Sequence, residues 1–186
     1  AAAGIARGVR QGHLRAAAPI AAPRQNFTFS LAMPAGSTRR YTVVSQPTAR
    51  YMSDNGIKSE GTHVVQNKDV DESAIWHLDH VDGDWYRIRN NLTQQFMTAP
   101  EGADPFTYVD MTAGTYGNRS QWKLERNNAS FLVSNREFPD LFLSVNFQSP
   151  GEPLVLMGAD DLNRRLWVIS LMPEEVEVQT GDYDRI

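Results

Sequence analysis

The chain repeats itself with a period of 45 residues, and that period sharply limits what it can fold into. Tyr41-Thr-Val43, Tyr86-Arg-Ile88 and Phe131-Leu-Val133 each open an apolar-alternating run, at positions 41, 86 and 131. Each run is followed by a second aromatic landmark: Tyr51-Met52, Phe96-Met97 and Phe142-Leu143. Each unit then closes on a Trp-x-aliphatic triplet: Trp76-His-Leu78, Trp122-Lys-Leu124 and Trp167-Val-Ile169. Landmarks that hold one register through three copies mark internal duplication.

Each copy reads as four short strands. In the first strands Tyr41/Val43, Tyr86/Ile88 and Phe131/Val133 point inward, with Thr42, Arg87 and Leu132 outward. The second strands centre on Tyr51, Phe96 and Phe142; the third are His63-Val-Val65, Tyr108-Val-Asp-Met111 and Leu154-Val-Leu-Met157; the Trp triplets are the fourth. Asp82-Gly83-Asp84 and Asn127-Asn128 supply turns between units. Twelve strands and no long helix predict an all-β protein, a β-trefoil in which a six-stranded barrel is closed by three hairpins. One unit cannot bury its own apolar face, whereas three pool their aromatics and leave no open barrel edge. A propeller of three blades is too small to close.

The expected organisation is a basic arm over residues 1–26, the trefoil over 27–172 and an acidic tail over 173–186. Residues 1–40 carry six arginines and no acid, so with a total charge of −4 the rest of the chain sums to −10. A net negative chain gives no reason to expect nucleic acid. No apolar run is long enough for a membrane helix. Cysteine is absent, which removes disulfides, thiolate nucleophiles and Cys-ligated metals. Asn26, Asn91, Asn118 and Asn128 all begin N-glycosylation triplets. With 11 Asn and 23 Ser or Thr in 186 residues, chance gives roughly 1.4 such triplets. Four point to secretion and to an extracellular glycoprotein.

Catalytic patterns are missing. His77 and His80 lie three apart on an expected strand, where side chains face opposite ways, so no metal site is expected there. There is no Gly-x-Ser-x-Gly elbow and no phosphate loop. The pairs Asp160-Asp161 and Glu174-Glu175 lie in loop or tail surroundings. The three periodic tryptophans belong to the core. Trp85, outside the period and beside the Asp82–Asp84 turn, is a candidate contact residue, as are Phe106 and Tyr108 after the acidic loop Glu101-Gly-Ala-Asp104-Pro. No cofactor is implied.

Met33-Pro34-Ala35-Gly36 ahead of Tyr41, together with the three Trp triplets, resembles the ricin-B-type β-trefoil and its fungal lectin-like members, over roughly residues 27–171. That resemblance implies sugar sites, each with a Gln two residues before the Trp and an Asp after the second-strand aromatic. Here the first positions are Ala74, Ser120 and Arg165, and the nearest matches to the second are Ser53, Thr98 and Ser144. Only Asp54-Asn55 in the first copy offers a polar cradle. A scaffold kept without its sugar residues resembles the lectin-like light subunit of mushroom tyrosinase and the small subunits of heterodimeric fungal laccases. The resemblance therefore implies a non-catalytic accessory subunit that binds and stabilises a larger secreted enzyme such as a fungal phenol oxidase. Two alternatives stay open: a lectin with one degenerate site at Asp54 and Asn55, and a trefoil protease inhibitor using the loops Ser53–Thr62, Pro100–Thr107 or Gln148–Pro153.

Overall fold

The computed structural model describes residues 38–146, 149–159 and 162–173. The arm, the tail after Pro173, Asn26, Met33–Gly36, Gln148 and Asp160-Asp161 lie outside the described residues. What is described belongs to one compact unit, residues 31–186.

The first copy contains β1 (Tyr41–Ser45), β2 (Tyr51–Ser53), β3 (Thr62–His63), β4 (Val65–Asn67) and β5 (Ile75–Asp82). The second has β6 (Trp85–Asn90), β7 (Phe96–Thr98), β8 (Asp110–Thr112) and β9 (Trp122–Asn127). The third has β10 (Ser130–Asn135), β11 (Phe142–Val145), β12 (Leu154–Met157) and β13 (Trp167–Leu171). β1 pairs β5, β5 pairs β6, β6 pairs β9, β9 pairs β10, β10 pairs β13 and β13 returns to β1, all antiparallel. That closed circuit is the barrel, and the hairpins β2–β4, β7–β8 and β11–β12 cap it. The fold is a β-trefoil, as the repeat predicts.

The repeat is visible in the register. Tyr41 sits opposite Trp76, Tyr86 opposite Trp122 and Phe131 opposite Trp167. All six rings are at most 3% exposed. Each indole also donates Nε1–H to a backbone carbonyl of its own copy's second strand: Trp76 to Met52, Trp122 to Met97 and Trp167 to Leu143, each at 2.9 Å. A buried indole needs such an acceptor. This explains why a fixed Trp follows a fixed aromatic-plus-aliphatic step in the sequence. At the pseudo-threefold axis Val64 N–H donates to Val109, Val109 to Leu154 and Leu154 to Val64, at 2.9, 3.2 and 2.8 Å. The three residues are 45 apart and close a ring of backbone hydrogen bonds.

Two expectations need correction. The third strand of the first copy is broken at Val64, which serves the axial ring, so the described residues form thirteen strands rather than twelve. In the second copy the strand begins at Asp110, and Tyr108 makes only an isolated bridge to Val155. A 3-10 turn precedes each Trp strand, at Glu72–Ala74, Gly117–Ser120 and Asn163–Arg165. The sequence reading did not anticipate these turns.

Candidate functional site

The crevice between successive copies is closed in one place and open in another. After β2, Asp54 is fully buried. Its Oδ1 accepts from Gly56 N–H at 2.8 Å and its Oδ2 from the Thr93 hydroxyl at 2.6 Å. Burial raises its carboxyl above the usual 3.8, against the lowering effect of the Thr93 and Gly56 bonds. Leu92 presses on the same turn: a side chain at Gly56 (φ +68°) would meet Leu92 Cδ2 at 3.0 Å. Asp54 is thus a latch between the first and second copies, not an open cradle. Asn55 is exposed, with its Oδ1 accepting from Asn67 at 2.7 Å. The structure does not bring the two together as one ligand-facing pair.

The same place in the second copy is Ala99, 45 residues on, whose N–H bonds the Arg119 carbonyl as Asp54 N–H bonds that of Ser73. No carboxylate stands there to latch the next turn. A crevice of about 510 Å³ opens between Glu101, Gly102, Tyr116–Arg119, Glu137 and Phe138. A second recess of about 230 Å³ lies against the same Tyr116, Arg119 and Glu101 and runs to Glu60, Thr98, Asp110 and Thr112. Tyr116 and Arg119 are their shared wall, with the guanidinium 5.1 Å over the ring. Glu60, from the loop of the first copy, accepts from Tyr116 Oη at 2.9 Å and from Ala113 N–H at 2.8 Å. Its charge, through that bond first, raises the Tyr116 phenol. The recess floor is a hydroxyl cluster: Thr98 with Thr112 at 2.7 Å and with Ser120 at 2.8 Å. Asp110 pairs with His63 Nδ1 at 2.8 Å. Burial raises the Asp110 carboxyl, the His63 bond opposes this and nearby Glu60 adds to it. The two adjoining recesses thus present carboxylates, hydroxyls, a guanidinium and an exposed phenol ring. That mixture suits a neutral, hydroxyl-rich ligand.

The remaining sequence candidates fall elsewhere. Trp85 is half-buried, with the Arg136 guanidinium 5.1 Å over its ring. Arg136 is itself held by Asp82 at 2.9 Å and Gln121 at 2.8 Å. His77 is buried and bonds Asn91 Oδ1, while His80 bonds the Gly83 carbonyl, so the two imidazoles serve separate partners. Among the described residues no group of three or more His, Cys, Asp or Glu is placed to hold a metal ion. Asn91 Nδ2 is committed to Glu72 at 2.8 Å, whereas Asn118 and Asn128 are exposed. Arg165, at the third copy's Gln position, is buried with its guanidinium 4.6 Å over Phe142 and a bond to the Ala159 carbonyl at 2.9 Å.

Phe106 and Tyr108 are 59% and 43% exposed. Phe106 also has φ +72°, a conformation that costs a side-chain-bearing residue about 1–2 kcal/mol. The sequence reading named both residues but missed this strain, and it missed Glu60, Asp110, Tyr116 and Arg119. The signal for the strain was present: one period either side of Phe106 stand Gly61 and Gly151.

Solved structures of the same shape include a designed threefold-symmetric protein, ThreeFoil, at 15% identity and TM-score 0.66, covering 70% of this chain and 96% of that one. The Rhizoctonia solani agglutinin is 14% identical with TM-score 0.66, covering 76% and 98%. The Macrolepiota procera ricin B-like lectin, solved in complex with lactose, is 12% identical with TM-score 0.60, covering 70% and 94%. This chain also matches parts of longer chains, of which it spans 17%, 31% and 33%. No curated protein matches the sequence. Residues 23–112, through the third strand of the second copy, match the family model of the ricin-type β-trefoil lectin domain-like proteins.

Proposed function

We propose that this chain is a non-catalytic, carbohydrate-binding lectin-like β-trefoil, and that the sugar occupies the cleft of the second copy. The observation that carries this is the pair of adjoining recesses that share Glu101, Tyr116 and Arg119, the smaller of them also lined by Asp110 and Thr112. A sugar offers hydroxyls that both donate and accept, which carboxylates and a guanidinium satisfy in turn, and ring C–H faces that suit a phenol. The ricin-type match and the lactose-bound neighbour support the same ligand class. Glu60 is committed to Tyr116 and Ala113, and Asp110 to His63, so neither is a free acid–base group. Binding to a glycan array, followed by calorimetry with Arg119→Ala, tests the proposal. Loss of a charge-assisted contact is expected to weaken binding about tenfold or more. An array without hits, or an Arg119→Ala variant that binds as well as the parent, contradicts it.

A second reading, the accessory subunit of a larger secreted enzyme such as a fungal phenol oxidase, is favoured by Ile57 and Leu92. They are 51% and 54% exposed beside the Gly56 turn, as an apolar patch awaiting a protein would be. Its test is the native mass of the protein from its source. A stoichiometric complex supports it, and a lone chain removes it. Under either reading secretion is expected, with Asn128 the exposed sequon that lies clear of the cleft, whereas Asn118 lines it; intact mass before and after deglycosylation checks this.

A further inference from the structure

The three copies act as controls for one another at position 106. Gly61 donates its N–H to the Met111 carbonyl, Phe106 to that of Leu156 and Gly151 to that of Gln66, at 3.0, 2.7 and 2.7 Å. Their φ values are +78°, +72° and +78°. The backbone requirement is therefore identical in all three, and two copies meet it with glycine, the residue suited to positive φ. The second copy carries phenylalanine, whose ring is 59% exposed. Core packing does not explain a strained aromatic in that position. Such an outlier points to a surface role.

The neighbouring residues depart from the repeat in the same direction. Asp110 stands where the other copies have Val65 and Val155, which are 5% and 0% exposed. Tyr108 stands where the others have His63 and Pro153. Alternate residues of an extended segment share a face, so Tyr108, Asp110 and Thr112 form a row with steps of about 6.6 Å. Asp110 and Thr112 line the recess. Tyr108 is the next step outward, and its ring is steadied by His63 at 4.9 Å, the same His63 that bonds Asp110.

We infer that the cleft continues onto an aromatic ledge made by Tyr108, His63 and Phe106, and that its ligand is an oligosaccharide chain rather than a single sugar. The inference rests on the glycan reading of the cleft. One sugar fills the recess at Asp110 and Arg119, and the next residues of the chain lay their apolar faces on the ledge. The ledge forms where Phe106 and Tyr108 of the second copy meet His63 of the first, and Phe106 and Tyr108 have no aromatic counterparts in the other copies, so one extended site per chain follows rather than three equivalent ones.

The test is calorimetry with two probes that share a terminal galactose: lactose and the tetrasaccharide lacto-N-neotetraose. The parent protein is expected to bind the tetrasaccharide about tenfold more tightly than lactose. Phe106→Gly and Tyr108→Ala are expected to reduce that ratio to about twofold or less, and Phe106→Tyr to retain it. Phe106→Gly should do so without lowering Tm, because glycine already serves at Gly61 and Gly151. Equal affinity of the parent for both probes overturns the ledge while leaving the cleft in place. A ratio that survives both Phe106→Gly and Tyr108→Ala does the same. Failure of both probes to bind overturns the cleft reading and the ledge together.

Discussion

After β2 the chain turns through Asp54, and 45 residues later the same turn runs through Ala99. The strand register around the two is shared, and so is the backbone bond into the 3-10 turn, Asp54 to Ser73 and Ala99 to Arg119. Yet the first turn is shut by a buried carboxylate holding Thr93, whereas the second carries no carboxylate and is followed by Glu101 and Gly102 on the wall of a crevice of about 510 Å³. The barrel is therefore indifferent to which copy is open. A repeat fold holds its core fixed by symmetry and leaves each seam free to differ.

That contrast can be tested from both sides. The largest effect is expected where the copies agree: Trp76→Ala, Trp122→Ala and Trp167→Ala should each cost about 3–5 kcal/mol in urea unfolding. Each removes a fully buried indole and strands its carbonyl partner. If one of the three were nearly neutral, the shared-core account would fail at that copy. Next comes Thr93→Val, which leaves one oxygen of buried Asp54 unpaired and should destabilise by about 1–3 kcal/mol. Transplanting the latch sharpens the comparison. Ala99→Asp alone should destabilise by a similar amount, about 1–3 kcal/mol, since it buries an unpaired carboxylate. Ala99→Asp with Phe138→Thr should recover part of that loss and close the crevice to sugar, read by calorimetry.

The smallest effect is in pH. The folded Asp54 carboxyl lies above its usual 3.8, so its contribution to stability is present below that value and is lost as pH rises through the folded pKa. The Tm of the parent relative to Asp54→Asn should therefore fall as pH rises from about 3 to about 6. A relative Tm that rises over that range would mean the carboxyl is stabilised in its charged form.

The barrel was legible in the sequence because its determinants are periodic. Tyr41 and Trp76, like their partners in the other copies, occupy fixed places in a 45-residue register, and alternation sets their faces. The seam was not legible, because its partners are distant in the chain and follow no period. Asp54 looked like a sugar acceptor since nothing near it shows that Thr93, 39 residues on, takes its oxygen. Tyr116 meets Glu60 across 56 residues. The break at Val64 likewise depends on Val109 and Leu154. Phe106 lies between these cases: its exposure is visible only in the fold, but its departure from Gly61 and Gly151 is written in the register.

The most direct test of the cleft is an amide chemical-shift titration of the labelled protein with the best glycan from an array. The account predicts saturable shifts at Glu101, Asp110, Thr112 and Arg119, with Asp54 and Gly56 unmoved. Shifts confined to the Asn55–Asn67 edge of the first copy, or none at all, would contradict it.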